Sequence, residues 1–227
     1  MSFEQNKSHS PTVSIIIPCY NEAGSILKTL EQKALEATHE VIVIDGGSSD
    51  NTLEILEKLT SRHTLITSQQ ANRSAQMNLA AQQANGDILL FLHADTLLPE
   101  RAIREIQTKY LAGKSLGCFR RVFTPRTSLL DFTSALAFWR SKLLFWSFGD
   151  QAIFIEASKF NELGGFKEMS QIEDLDLCLR AKKICRFAVI DSPIQTSARR
   201  FANAPLTRLL KDLALTLGYI SGLYRPK

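Results

Sequence analysis

The chain has 227 residues, 44% of them hydrophobic, and a formal net charge of +4, so we expect one domain with a single sizeable core. Its basic residues are scattered and do not gather into a stripe, which argues against nucleic acid as a partner. Four widely spaced cysteines without a Cys-x-x-Cys pair argue against a structural zinc site and a disulfide-rich secreted fold, and they favour a cytoplasmic protein.

The N-terminal half alternates short apolar runs with helical segments. A polar tail, residues 1–11, is expected to be disordered. The runs 13–18, 41–44, 64–67 and 88–92 predict strands, and the segments 23–37, 51–61, 73–84 and 99–111 predict helices. Such alternation predicts an α/β fold with a Rossmann-like, mostly parallel sheet and helices on both faces.

The second half is less regular. We expect strands at 116–124, 151–155 and 186–190, and helices at 129–145, 158–163, 173–183 and 206–224. The aromatic-rich stretch 129–148 is interrupted by Asp131, Arg140 and Lys142, whereas a spanning helix needs about 20 nearly charge-free residues. This stretch would cover the sheet, lie on a membrane surface or form a dimer interface, and covering the sheet is the first expectation. The C-terminal helix leaves the same alternatives open.

Asp95 follows the most apolar of the predicted strands. In open parallel sheets, ligands bind just beyond the carboxyl ends of the strands, which favours a ligand-binding role for this residue. Aspartate is also a preferred N-cap residue, so Asp95 would alternatively cap a helix that starts near Thr96. The spacing alone leaves both interpretations open.

Two further acidic positions lie where a strand or loop ends. Asp45 follows a buried strand and precedes Gly46-Gly47, where a ligand could approach the backbone closely, or where Asp45 would simply hydrogen-bond the turn. Glu173 and Asp174 open a helical segment, a common place for acidic residues because of the helix dipole. The pattern alone does not separate these alternatives.

The phosphate-binding loops of common nucleotide folds are absent from the sequence. A dinucleotide fold would have Gly-x-Gly-x-x-Gly after its first strand, whereas this chain has Cys19-Tyr20-Asn21-Glu22. Nucleotide phosphates would therefore be neutralised by a metal ion and by side chains such as Arg73. Mg²⁺ or Mn²⁺ needs few protein carboxylates, because phosphate oxygens and water complete its coordination.

Three successive motifs resemble the signatures of family 2 glycosyltransferases. They are the first strand with Pro18-Cys19-Tyr20-Asn21-Glu22, then Asp45-Gly46-Gly47-Ser48-Ser49-Asp50, then His93-Ala94-Asp95. Their order and spacing match the family, and the resemblance covers roughly residues 13–185. The chain is most similar to a small bacterial subset with His-Ala-Asp, Gly149-Asp150-Gln151 and a late Ser-Ala-Arg-Arg ending at Arg200.

This resemblance implies a single GT-A domain over residues 12–200, followed by a helical extension at 201–227. Its nucleotide-sugar half would span about 12–112 and its acceptor half about 113–200. Asp95 would bind the metal, Mg²⁺ or Mn²⁺. The positions that the motifs assign to the nucleotide-diphospho-sugar are Pro18, Asn21, Glu22, Asp45, Arg73, Gln76, Asn78, His93 and Ala94.

The resemblance also implies sugar transfer with inversion, in which Asp174 deprotonates the acceptor hydroxyl. The other acceptor-side residues would be Gly149, Asp150, Gln151, Glu173, Arg199 and Arg200. His93 replaces the first carboxylate of the usual Asp-x-Asp motif, and it would either ligate the metal or make a hydrogen bond. The late Gln-x-x-Arg-Trp motif is absent, which favours single transfers over polymer synthesis.

The acceptor is left open as either a lipid-linked or a small molecule, with peripheral contact at the inner face of the membrane and a homodimer as further hypotheses. Two rival functions also stay open. A nucleotidyltransferase would carry a glycine-rich basic loop after the first strand, which this chain lacks. A non-catalytic nucleotide-sugar binding protein would not use Asp174.

Overall fold

The structure is a computed structural model that describes residues 10–59, 61–68, 71–169 and 171–224. Of the expected tail, residues 1–9 lie outside the described residues. Within the described ranges, the strands are β1 Val13–Cys19, β2 Glu40–Asp45, β3 Thr64–Thr67, β4 Ile88–Phe91, β5 Thr96–Leu97, β6 Leu116–Thr124, β7 Ile153–Glu156 and β8 Phe187–Ser197. The helices are α1 Ile26–Leu30, α2 Thr52–Lys58, α3 Arg73–Gln83, α4 Ala102–Leu111, α5 Ser128–Leu144, α6 Ala157–Glu162, α7 Glu173–Ala181 and α8 Pro205–Ile220. Short 3₁₀ helices are Lys33–Ala37, Gly149–Gln151 and Arg199–Phe201.

All eight strands of the described residues form one sheet in the order β3-β2-β1-β4-β7-β6-β8-β5. The first four strands pair in parallel, and β6 pairs in parallel with β8. The sheet is mixed because β7 runs antiparallel to both β4 and β6, and β5 runs antiparallel to β8. The predicted single α/β domain is confirmed. The carboxyl ends of β1, β2, β4, β6 and β8 consequently share one edge.

Both faces of the sheet are buried, and its central strands β1, β2, β4 and β7 are apolar at most positions. Ile15 and Ile17 of β1 pack into one core cluster with α1, α2 and α4, while Ile16 packs into a second cluster with α3, α6 and α7. Side chains alternate between the faces of a strand, so a continuous apolar run supplies both cores. The expected helices on both faces are therefore present.

The expected elements differ from the structure near Asp95, in the first helix and in β8, which runs to Ser197 and does not end at residue 190. Residues 96–97 form strand β5 against β8, and α4 begins at Ala102 with Arg101 as its N-cap residue. Asp95 therefore does not cap a helix, and this alternative is wrong. The helix expected at 23–37 is instead a short α1 followed by a separate 3₁₀ helix, because Glu31 and Gln32 interrupt the helical path.

The aromatic stretch covers the sheet only in part, because α5 packs against β6 while some of its large side chains point outward. In α5, Phe132 is 62% exposed and Trp139 is 53% exposed, whereas the buried positions include Ser134, Ala137 and Ser141. The apolar pattern did not reveal which face of this helix points inward. Among the described residues, no helix is long and apolar enough to cross a membrane.

Candidate active site

A cavity of about 220 Å³ opens at the shared carboxyl edge of the sheet, beyond β1 and β4. The structure brings together eight of the predicted site residues around it: Pro18, Glu22, Arg73, Gln76, His93, Ala94, Asp95 and Arg199. Cys19, Tyr20 and Ala71 also line the cavity and were not predicted. They directly adjoin predicted residues or motifs, and this proximity in sequence is the signal that could have identified them.

Asp95 offers carboxylate oxygens to this cavity. Its Oδ2 lies 3.4 Å from Nη2 of Arg199, and its Oδ1 accepts a long 3.4 Å hydrogen bond from the Thr96 hydroxyl. Burial raises the pKa of Asp95; Arg199 opposes this rise, and Glu22 adds to it. Glu22 is more fully engaged, because its carboxylate pairs with Arg199 and accepts a 2.6 Å hydrogen bond from Ser25.

The donor set suits a hard divalent cation that is only partly coordinated by protein. Among the described residues, no cluster of three or more His, Cys, Asp and Glu side chains could hold a metal ion. Asp95 has lone pairs free of strong hydrogen bonds, and Mg²⁺ and Mn²⁺ commonly combine one or two carboxylates with phosphate oxygens and water. The residues present therefore fit such an ion with Asp95 as the protein ligand.

Gln76 forms part of the cavity wall from the first turn of α3. Its Nε2 donates to the carbonyl of Cys19 at 3.2 Å, which ties α3 to the end of β1. A Cβ on Gly46 would lie 2.2 Å from the same Nε2, so only glycine allows this approach. Gly46, the first glycine after β2, therefore has a packing role.

Asp45 and Asn21 organise the loop that follows β2. Asp45 is 1% exposed, and its Oδ2 accepts hydrogen bonds from the backbone of Gly47 and Ser48 at 3.0 and 2.9 Å. Asn21 Oδ1 accepts a 2.8 Å bond from the backbone N–H of Ser49. Neither side chain lines the cavity, so a nucleotide role for these two residues remains a prediction.

Asn78 connects α3 to the turn before α7. Its amide makes two hydrogen bonds with the backbone of Phe166, donating at 2.8 Å and accepting at 2.9 Å. A Cβ on Gly165 would lie 2.6 Å from Asn78 Oδ1, which explains the glycine. The structure places Asn78 outside the cavity lining, where it supports the segment that leads to Asp174.

Arg73 links the cavity to the two acidic residues of α7. Asn72 caps α3 by accepting from the backbone N–H of Ala75 at 3.1 Å, and this fixes Arg73 in the first turn. The Arg73 guanidinium donates to Asp174 Oδ2 at 2.9 Å and lies 3.5 Å from Glu173 Oε1. Burial opposes the charge on Arg73, but the two carboxylates raise its pKa overall.

Asp174 is buried, with one fixed and one unpartnered oxygen. Its Oδ2 also accepts a 2.8 Å hydrogen bond from the backbone N–H of Gly149. Its Oδ1 is buried and has no hydrogen-bond partner among the described residues. Burial raises the pKa of Asp174 to about 6, with Arg73 opposing the rise and Glu173 adding to it.

Gly149 is the point where the side chains of Arg73, His93 and Asp174 converge. A Cβ there would lie 1.9 Å from Arg73 Nη2, 2.5 Å from His93 Nε2 and 2.8 Å from Asp174 Oδ2. Burial lowers the pKa of His93 well below its usual value, and Arg73 adds to this effect. The imidazole is therefore neutral at pH 7, and its buried Nε2 has no partner among the described residues.

Two arginines that the sequence motifs did not assign hold the turn around Gly149. Arg121 forms an ion pair with Asp150, and Arg140 Nη2 donates to Gln151 Oε1 at 2.9 Å. Gln151 is fully buried within a polar network, so its side chain supports the turn, and an acceptor-side role for it remains a prediction. Burial lowers the pKa of Arg140 to about 10. No sequence signal separates Arg140 from the surface cations of α5.

The two arginines that follow β8 make contacts with different parts of the structure. Arg199 lines the cavity, whereas Arg200 Nη2 pairs with Asp212 of α8 at 3.0 Å.

Three non-glycine residues with positive φ directly precede or follow site positions: Asn21, Ala152 and Ile172. Such backbone costs about 1–3 kcal/mol at each position and is characteristic of functional sites.

The fold matches that of solved GT-A glycosyltransferases. A mannosyltransferase from Pyrobaculum calidifontis, solved with GDP-mannose and Mn²⁺, superposes with a TM-score of 0.72 at 21% identity, covering 97% of this chain and 66% of that one. The sequence model "Glycosyl transferase family 2" matches residues 14–160. The chain belongs to this family, as its motifs predicted.

Curated relatives match over part of their length. The glycosyltransferase AglE of Haloferax volcanii is 39% identical over 93 residues, covering 37% of this chain and 31% of the relative. An undecaprenyl-phosphate 4-deoxy-4-formamido-L-arabinose transferase of Proteus mirabilis is 34% identical over 101 residues, covering 40% of this chain and 31% of the relative. The match therefore spans about a third of each relative.

Proposed function

We propose that this chain is a metal-dependent glycosyltransferase that moves a sugar from a nucleotide-diphospho-sugar to an acceptor hydroxyl with inversion. The observation that carries the proposal is the position of Asp174. Its Oδ2 is fixed by Arg73 and Gly149, its Oδ1 is unpartnered among the described residues, and Arg73 itself lines the cavity that contains Asp95. Asp174, the proposed base, therefore lies beside the cavity whose charged residues would bind the leaving diphosphate.

The donor side is the cavity at the carboxyl edge. Its volume of about 220 Å³ is below the roughly 300–1,000 Å³ of pockets that enclose whole small ligands, so it suits only part of a nucleotide sugar. Arg73, Arg199 and Asp95 favour the diphosphate as that part. A bound Mg²⁺ or Mn²⁺ would neutralise charge on the leaving diphosphate, with Asp95 as its protein ligand. The Mn²⁺ in the Pyrobaculum structure supports this assignment.

The acceptor side is Asp174. The acceptor oxygen would attack the anomeric carbon as the bond from that carbon to the diphosphate oxygen breaks, and the hydroxyl proton would move to Asp174. The nucleoside diphosphate leaves with the electron pair. A base is most effective when its pKa is close to the working pH, and burial raises the pKa of Asp174 to about 6. His93, neutral and unpartnered at Nε2 among the described residues, would hydrogen-bond the donor or acceptor beside it.

The acceptor is proposed to be a lipid-linked molecule, modified by single transfers. The name of the Proteus mirabilis relative, which contains the lipid undecaprenyl phosphate, supports a lipid-linked acceptor. The attacking group would here be a hydroxyl of that acceptor and not a phosphate, which is ionised without a base. The absence of Gln-x-x-Arg-Trp from the sequence supports a non-processive reaction. The four cysteines are free, which supports a reducing compartment such as the cytoplasm.

A panel of nucleotide sugars with Mn²⁺ tests the function. We expect slow release of nucleoside diphosphate from one donor, with water as the acceptor. With methanol in place of water, the methyl glycoside, which cannot mutarotate, should have the anomeric configuration opposite to that of the donor by NMR. Pyrophosphate release from a sugar phosphate and a nucleoside triphosphate would instead indicate a nucleotidyltransferase. Donor binding without turnover, even with a range of lipid and sugar acceptors, would indicate a binding protein.

A further inference from the structure

Helix α5 has its large apolar side chains on the outside. Its buried positions are Leu130, Ser134, Ala137 and Ser141, three of which are small. Its exposed positions form an apolar stripe at helical spacing, made of Leu129, Phe132, Leu136, Trp139 and Leu143. A surface helix of a globular protein normally has the opposite arrangement, with its apolar stripe facing the core.

Helix α8 repeats this arrangement. Thr216 is the buried residue of α8, and Tyr219 fastens the helix to α7 by donating to Asp176 at 2.6 Å. The exposed positions again form an apolar stripe, made of Leu206, Leu210, Leu213, Leu217 and Ile220. Two separate helices therefore expose leucine-rich stripes, and we call the two stripes together the leucine face.

The two stripes begin side by side, next to the candidate active site. Strands β6 and β8 are parallel neighbours, with Thr124 opposite Ser197, and they lead into α5 and α8 respectively. Leu130 of α5 and Leu209 of α8 belong to the same small core cluster. Arg199, which lines the cavity, lies in the short connection between β8 and α8. The leucine face therefore borders the carboxyl edge of the sheet.

Positive charge is concentrated around this face. Residues 125–148 and 199–220 contain seven basic residues; Arg140 bonds the buried Gln151 and Arg199 lines the cavity, which leaves five basic residues near the surface of these segments against two acidic ones. The rest of the chain is close to neutral. Lys142 Nζ lies 5.2 Å from the ring centroid of Trp139. Such pairs of a cation and an amphipathic aromatic ring suit the membrane interface.

We propose that the leucine face docks on an anionic lipid bilayer, with its leucines in the interface and its basic residues on the lipid headgroups. A second copy of this chain is the poorer occupant, because a symmetric dimer would set one positively charged face against another. Bilayer binding gains from both apolar burial and the attraction of cations to anionic headgroups. Docking would hold the carboxyl edge beside the membrane. This inference does not depend on the proposed sugar transfer.

Co-sedimentation with vesicles tests it without any donor or acceptor. The full chain should pellet with vesicles of phosphatidylcholine and phosphatidylglycerol, bind pure phosphatidylcholine far more weakly, and dissociate as salt is added. The double variants Leu210→Ser/Leu213→Ser and Leu136→Ser/Leu143→Ser should each bind more weakly, by about tenfold for each leucine removed. Leu111→Ser is the matched control, because Leu111 is 53% exposed but lies on α4, outside the leucine face.

A fluorescence measurement provides a second readout. The chain has two tryptophans, so Trp146→Phe leaves Trp139 as the reporter. Emission from Trp139 should shift to the blue, and acrylamide should quench it less, when anionic vesicles are added. Failure of the wild type to pellet with anionic vesicles, or equal binding by the leucine variants and Leu111→Ser, would overturn the proposal. A dimer that the leucine variants convert to monomers, without vesicle binding, would overturn it too and assign the face to a second copy.

Discussion

The Nη2 atom of Arg73 lies 2.9 Å from Oδ2 of Asp174, although the two residues are 101 positions apart in the chain. The same guanidinium lines the cavity next to Asp95. A diphosphate bound to Arg73 would therefore weaken the attraction between Arg73 and Asp174, the proposed base. Through this one side chain, the proposed donor and acceptor sides would be coupled.

The pH dependence of transfer should report the ionisation of Asp174. Burial raises its pKa to about 6, and only the charged carboxylate can accept a proton, so kcat should fall as the pH drops below about 6. Substitutions at two residues that contact or adjoin Asp174 should move this acidic limb of the kcat–pH profile in opposite directions. Arg73→Gln removes a cation and should shift the limb to higher pH, whereas Glu173→Gln removes an anion and should shift it to lower pH.

These shifts are measured as kcat at saturating donor, because Arg73 also lines the donor cavity. If the acidic limb shifted in the same direction in both variants, it would report the ionisation of a group other than Asp174.

Gly149→Ala should disrupt the site by crowding. The new Cβ would lie 1.9 Å from Arg73 Nη2 and 2.5 Å from His93 Nε2, so these side chains or the turn must move. A misplacement of about 1 Å at a reacting centre can cost on the order of 10²-fold in rate. Gly24→Ala is the matched control, because no heavy atom lies within 4 Å of its added Cβ. Equal kcat/KM in both variants would contradict this account of the cluster.

Asp95→Asn should weaken metal-dependent donor binding. The substitution keeps the size of the side chain but removes the charge that a divalent cation requires, so the affinity for nucleoside diphosphate in Mn²⁺ should fall at least about tenfold. In EDTA the wild type and the variant should bind nucleoside diphosphate equally. Titration calorimetry gives both values. An unchanged affinity in Mn²⁺ would remove Asp95 as the metal ligand.

Asp176 is predicted to be a structural carboxylate. It accepts hydrogen bonds from Lys167, Arg180 and Tyr219, and although burial opposes its charge, these bonds lower its pKa. Its stabilising contribution is therefore present above the usual aspartate pKa of about 4 and is lost as the pH falls. Asp176→Asn should lower the free energy of unfolding by about 1.5–3 kcal/mol at pH 7 in urea denaturation.

At a pH well below about 4, under the lowered folded-state pKa of Asp176, the same comparison should yield a much smaller difference. A constant difference at every pH would mean that packing, and not charge, explains the loss.

Sequence motifs predicted the residues that adjoin strand ends, and they did not assign Arg121 and Arg140, whose contacts depend on packing in the second half. Glu22, His93 and Asp95 follow β1 and β4, and the carboxyl ends of parallel strands necessarily meet at one edge. Arg140 depends on which face of α5 points inward, and apolar residues occupy both faces of that helix. Asp45 lies at the expected strand end, but its contacts with the following turn could not be separated from ligand contacts by spacing.

The most direct test of the central claim compares donor turnover and donor binding in the wild type and in Asp174→Asn. Asparagine keeps the volume of the side chain but cannot accept the acceptor proton, so kcat should fall by about 10²–10⁴-fold. The donor dissociation constant in Mn²⁺ should not rise, because Asp174 lies outside the cavity lining and the loss of its charge leaves Arg73 freer to bind the diphosphate. Asp176→Asn serves as the control within the same helix. A kcat equal to that of the wild type in Asp174→Asn would contradict the assignment of this carboxylate as the base.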